Sequence, residues 1–85
     1  MRTAKSDDTA MHTVAAELEA LLPELEYSRE THAQWRDCDQ IHRDRNPSIG
    51  DSAFHDACVN TYDTRIATIK RAAAAMRALA AKNKY

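Results

Sequence analysis

Apolar residues along this chain recur in alternating steps of three and four, the spacing that gathers them on one side of a helix. From about Thr9 the first run reads Met11, Val14, Leu18, Leu21 and Leu25, and the same steps continue through Ser28, His32, Trp35, Asp39 and His42. A second run reads His55, Val59, Tyr62, Ile66, Ile69, Ala73, Met76 and Ala80. Between them lies Asn46-Pro47-Ser48-Ile49-Gly50, the one strong loop signal: Pro47 biases Asn46 out of helical geometry, and Gly50 has a free choice of backbone dihedrals. The pattern predicts an all-α fold, an antiparallel helical hairpin in a single domain. Residues 1–8 are expected to fray, 9–45 to form the first helix, 46–51 the loop, and 52–83 the second helix, capped by Asp51 or Ser52. Pro23, inside the first run, removes a backbone donor and crowds the preceding turn. It predicts a kink near Glu19 to Pro23, with a full break as the alternative.

Folding the chain about this loop sets Leu18 level with Leu79, Leu25 with Ala72 and Ala73, and Trp35 with Tyr62. The seam is greasy at one end and polar at the other. His32 and Asp39 flank Trp35 on it, as satisfied core polar groups or as a polar layer that fixes register.

Composition agrees with helices and adds a problem. One Gly and two Pro in 85 residues leave too few turn formers for a sheet fold. Leu, Ile, Val and Phe number only 12, too few for a generous core, and the net charge of −1 is too small to favour disorder. A chain this short with this core is marginal alone, so self-association, most simply as a dimer, is expected to complete it. Charge is also sorted: residues 1–30 carry three bases and seven acids, residues 61–85 six bases and one acid. An antiparallel arrangement lays the basic end along the acidic one. Six cations without interleaved aromatics make a nucleic-acid surface the lesser reading of that end. No stretch is apolar enough for a membrane span or a leader segment, which points to the cytoplasm, where cysteines stay reduced.

One constellation carries chemistry. Cys38 and His42 are four apart, His55 and Cys58 three apart, and the hairpin register brings all four toward one level. Two thiolates and two imidazoles make a closed tetrahedral zinc shell that would staple the loop end without offering an open catalytic position. The alternatives are a Cys38–Cys58 disulfide, or inert thiols beside hydrogen-bonded histidines; the expected cofactor is therefore zinc or none. The run Arg43-Asp44-Arg45 reads as a solvated face. No phosphate loop, nucleophile elbow or Glu-x-x-His pattern is present, so an enzyme is not expected. Tyr27, Trp35, Tyr62 and Tyr85 are the aromatic anchors available for contacts, Trp35 and Tyr62 serving the core first. Ala73, Met76 and Ala80 in the alanine-rich second helix offer a close-packing face for a partner.

In size, helical content, alanine-rich second helix and lack of catalytic signatures, the chain resembles small helical inhibitors encoded by phages and mobile elements. These include anti-CRISPR proteins, hairpin anti-activators of quorum sensing, and hairpin proteins that sequester cyclic nucleotides. The resemblance is one of outline, with no residue motif behind it. It implies a non-enzymatic interaction module, an oligomeric inhibitor or adaptor binding a host or cognate protein. Two further expectations stand beside it: a zinc-stapled hairpin, and an oligomer that sequesters a nucleotide between Arg65, Lys70 or Arg71 and an aromatic ring.

Overall fold

The computed structural model describes residues 4–82, with side chains from Asp8 onward. The chain is all-α, as its pattern predicts. Its elements are α1 (Ala4–Glu19), α2 (Leu22–Asp37), α3 (Gln40–Arg45), a 3-10 turn (Pro47–Ile49) and α4 (Ser52–Lys82). The described residues contain no strand and no helix long and apolar enough to cross a membrane. Helix begins at Ala4, so the frayed segment expected over residues 1–8 is helical from there on, and residues 1–3 lie outside the described range.

The expected single first helix comes in three pieces, and each break has a chemical cause. Pro23 has no N–H to return to Glu19, so α1 closes early: Ala20 N–H donates to Ala16 O at 2.9 Å and Leu21 N–H to Leu18 O at 3.1 Å. Pro23 then sits in the first turn of α2, where a missing N–H costs nothing. The second break falls at Cys38 and Asp39. Asp39 is extended (φ −77°, ψ 169°), and its carboxylate accepts the His42 N–H at 2.7 Å, capping α3. Asp39 is therefore a cap and not a seam residue. In the loop, Gly50 has φ +87°, the left-handed region where glycine alone rests without strain. Asp51 caps α4 by accepting the Phe54 N–H at 2.7 Å.

The chain divides into two compact units. Unit 1 is Met1–Leu22 with Ile66–Tyr85; unit 2 is Pro23–Arg65. In each, α4 runs antiparallel to a helix from the front of the chain.

Unit 1 is built on alanine. Ala15, Ala73 and Ala80 are fully buried, flanked by half-buried Met11, Leu18, Leu22, Ile66, Ile69 and Met76. The α4 seam is the one the spacing predicts. The α1 seam turns by one residue, onto Ala15 and Leu22, and leaves Val14 (39% exposed) and Leu21 (51%) on a flank. Small side chains on both helices let the backbones approach, which pushes the larger residues outward. Arg77 Nη1 donates to Glu19 Oε2 at 2.6 Å, and that guanidinium holds the Glu19 carboxyl below its ordinary pKa.

Unit 2 buries Val59 (2% exposed) and Ala33 (6%) and adds polar links. Arg29 Nε donates to Asp63 Oδ1 at 3.0 Å, and Arg36 Nη1 to Asp56 Oδ1 at 3.4 Å. The sequence register would set Arg36 level with Thr61. Its contact with Asp56 is displaced by more than a turn, because α3 and the 3-10 turn occupy the space a short loop was expected to fill.

Candidate functional site

The polar centre of unit 2 grows from two histidines. His55, in the first turns of α4, is 1% exposed. Its Nδ1 lies 2.9 Å from Nδ1 of His32 on α2, and its Nε2 meets the Ile49 carbonyl of the 3-10 turn. A carbonyl only accepts, so His55 carries its proton on Nε2. With that as its one proton, His55 presents a lone pair at Nδ1 to which His32 Nδ1–H can donate. The pair thus ties α2, the loop and α4 together through one ordered chain of protons. Two protons between the rings would set donor against donor.

Aromatic rings surround this pair. The His32 ring stacks on Tyr62 (centroids 5.7 Å, 23° between planes) and meets Trp35 and Phe54 edge-on at 6.2 Å each. The Trp35 and Phe54 rings also meet His55 edge-on, at 5.4 and 5.1 Å. Trp35 and Tyr62 therefore flank His32, which joins the polar layer the sequence suggested.

Arg43 closes the loop end. Its Nη2 donates to Trp35 O (2.6 Å) and Arg36 O (2.7 Å), Nη1 to Gly50 O (2.9 Å) and Nε to Cys38 O (3.3 Å). These are carbonyls that α2 leaves unpaired where it stops, together with loop carbonyls that no helix serves. Ser52 Oγ adds a bond to Arg36 O at 3.0 Å. Arg43 is thus a capping residue and not part of a solvated face. The clue available in the sequence was indirect: a helix broken before a loop needs a multidentate donor, and only Arg offers five N–H groups in a fixed fork.

The zinc constellation is not assembled. Among the described residues no three His, Cys, Asp or Glu side chains come together as a metal-holding group. Cys38 donates its thiol to Trp35 O at 3.2 Å, His42 is exposed on α3, and both ring nitrogens of His55 are engaged. Cys58 stands apart, and both cysteines are free thiols, not a disulfide. The cause is the break at Cys38–Asp39, which takes Cys38 and His42 off a common face, together with the displaced register, which carries Cys58 past Cys38.

The expected contact residues also divide. Ala73 (1% exposed) and Ala80 (0%) are consumed by the core of unit 1, and Met76 is half-buried. They are not a free face for a partner. Tyr27 is 74% exposed and Trp35 40%, while Tyr62 is half-buried; Tyr85 lies outside the described residues. The large exposed apolar residues that seam logic missed are Val14, Leu21 and Leu79 in unit 1 and Ile41 and Phe54 in unit 2.

One groove is formed in unit 2. It measures about 330 Å³ and is lined by His32, Phe54, Ala57, Cys58, Thr61, Tyr62 and Arg65. The Arg65 guanidinium lies 5.7 Å from the Tyr62 ring centroid.

No known protein family matches this chain, and neither the curated proteins nor the solved structures provide a significant match.

Proposed function

We propose that this chain is a non-enzymatic interaction protein that works as a homo-oligomer, most simply a dimer, and acts by binding a protein target as an inhibitor or adaptor. The observation that carries this reading is the apolar flank of unit 1. The Glu19–Arg77 contact identifies one flank of the α1–α4 pair, where each residue directly follows a seam position. Val14 and Leu79 directly precede seam positions, so they share the opposite flank, and Leu21 is exposed in the break between α1 and α2. All three are large, apolar and 39–51% exposed, over a core whose fully buried members are alanines.

Burying an alanine returns much less than the roughly 1.5–3 kcal/mol of a leucine or valine. Two helices with this seam therefore need further apolar burial to persist. A second copy of the chain is the partner present whenever the chain is made, and a two-fold arrangement sets the same patch against itself. Charge favours it as well. From residue 66 to 82 α4 carries Lys70, Arg71, Arg77 and Lys82 and no acid, while the sequence of α1 carries four acids, Asp7, Asp8, Glu17 and Glu19, against one base, Lys5. Placing each α1 beside the partner's α4 joins opposite signs. The free thiols suit a reducing, cytoplasmic setting. Tyr27, exposed on α2, is the first anchor to examine for the target.

Sedimentation at micromolar concentration tests the association. A dimer that Leu79→Ser converts to monomer is the expected result. A folded, stable monomer for the unmodified protein would overturn the proposal.

A further inference from the structure

We infer that the groove on unit 2 is a binding site for a small planar aromatic molecule bearing an anionic group, a carboxylate or a phosphate, with Arg65 as its charge partner and Phe54 and Tyr62 as its ring contacts. This goes beyond self-association and uses different residues.

Two of the five arginines of unit 2, Arg45 and Arg65, have no carboxylate or carbonyl partner among the described residues, and only Arg65 stands at the groove. Arg29 is paired with Asp63, Arg36 with Asp37 and Asp56, and Arg43 with four carbonyls. Arg65, among the described residues, has a tyrosine face as its neighbour and no carboxylate or carbonyl partner. Its guanidinium retains its capacity for a bidentate bond to an anion, and it stands at a groove rather than on a bare helix face.

The remaining lining fits a flat ring. Phe54 is 56% exposed, which leaves its ring accessible at the groove. Tyr62 and His32 are stacked and supply a second aromatic surface. In the tautomer in which His32 donates from Nδ1, its Nε2 offers a lone pair, an acceptor for a ring N–H. Thr61 spends its hydroxyl proton on Ala57 O at 3.0 Å, so its oxygen lone pairs are left to accept as well. A volume of about 330 Å³ lies at the small end of ligand sites, enough to seat a bicyclic ring with one short acidic arm. The lining is almost wholly of one helix, α4, with His32 added from α2, so the site depends on the histidine pair for its floor.

Indole-3-acetate and adenosine monophosphate are suitable probes for the carboxylate and phosphate forms, with uncharged indole as the control. The full chain titrated by calorimetry is expected to bind at least one of the two anions with a dissociation constant of roughly a millimolar or tighter. Arg65→Gln is expected to weaken that binding about tenfold, while Lys70→Gln, outside the groove, leaves it unchanged. Cys58 gives a second readout that does not depend on calorimetric heats: bound anion slows its alkylation by iodoacetamide and leaves Cys38 unaffected. Binding of neither anion, equal affinity for indole, equal affinity in Arg65→Gln, or equal protection of both thiols would each overturn the assignment. All of these are independent of whether the protein is a dimer.

Discussion

The two units of this chain add different things to a small apolar core. Unit 1 joins its helices with alanines, a row of half-buried aliphatic side chains and one exposed ion pair. Unit 2 adds to buried Val59 and Ala33 a histidine pair of which His55 is fully buried, a guanidinium spread over four carbonyls and two ion pairs. Apolar contact is tolerant of small shifts, because it is the sum of many weak terms. A polar network is unforgiving, because each buried group left without its partner carries the full desolvation penalty. Unit 1 should therefore respond mainly to association and to the area it can bury. Unit 2 should respond sharply to single atoms.

The largest expected effect follows directly. His55→Ala removes a side chain that is 1% exposed and leaves Ile49 O and His32 Nδ1 unpaired as well as a void. A loss of about 3 kcal/mol or more is expected in urea unfolding, with His32→Ala, half-exposed, costing roughly half as much. Nitrogen NMR on the unmodified protein sharpens the same point. It should find His55 as the Nε2–H tautomer and His32, while neutral, as the Nδ1–H tautomer. Equal losses for His55→Ala and for an exposed substitution such as Tyr27→Ala would show that the polar network is not what holds unit 2.

Arg43→Lys comes next. It keeps the charge and removes the fork, so one ammonium must replace donors aimed at Trp35, Arg36, Cys38 and Gly50. A loss of about 2 kcal/mol is expected. Amide exchange should quicken across α3 and the 3-10 turn while residues of unit 1 keep their protection. Unchanged exchange near Gly50 would show that the carbonyls are served as well by solvent.

What the sequence made legible follows the same division. The α4 seam, from His55 to Ala80, is buried where the spacing places it, because a regular helix with one apolar stripe leaves no other choice. The Pro23 interruption and the Asp51 cap were also readable, since each is fixed by one residue's backbone chemistry. The α1 seam was not, because Ala15 and Val14 are both apolar neighbours and close backbone approach, not hydrophobicity, decides between them. The four zinc-type side chains are not gathered among the described residues for a reason outside periodicity: Asp39 caps α3 rather than continuing a helix, which takes Cys38 and His42 off a common face. Arg43 left only an indirect trace as a capping group because its partners are main-chain carbonyls, which the residue pattern does not mark. The groove beside Arg65 was visible only as an arginine near an aromatic.

The smallest effect concerns charge, and it separates the units once more. Glu19 in unit 1 and Asp37 in unit 2 both have lowered carboxyl pKa values, each chiefly from the hydrogen bond with its arginine, Arg77 and Arg36 respectively. A carboxylate whose folded pKa is depressed adds stability above its unfolded pKa and loses it as pH falls through the folded value. For Glu19, ordinarily near 4.5, that loss falls on the acid side of this value. Glu19 and Arg77 are 58 residues apart in sequence, so unfolding separates them and the whole shift counts toward folding. Asp37 is the immediate neighbour of Arg36 and retains part of its attraction in the unfolded chain. Glu19→Gln should therefore flatten the acid limb of the melting-temperature profile between pH 5 and pH 3, read as order-of-magnitude bounds, more than Asp37→Asn does. Both differences should shrink in added salt, since the groups are exposed. An Asp37→Asn effect as large as that of Glu19→Gln would mean that the Glu19–Arg77 contact gives no more than a pair of sequence neighbours can, and that unit 1 rests on its apolar contacts alone.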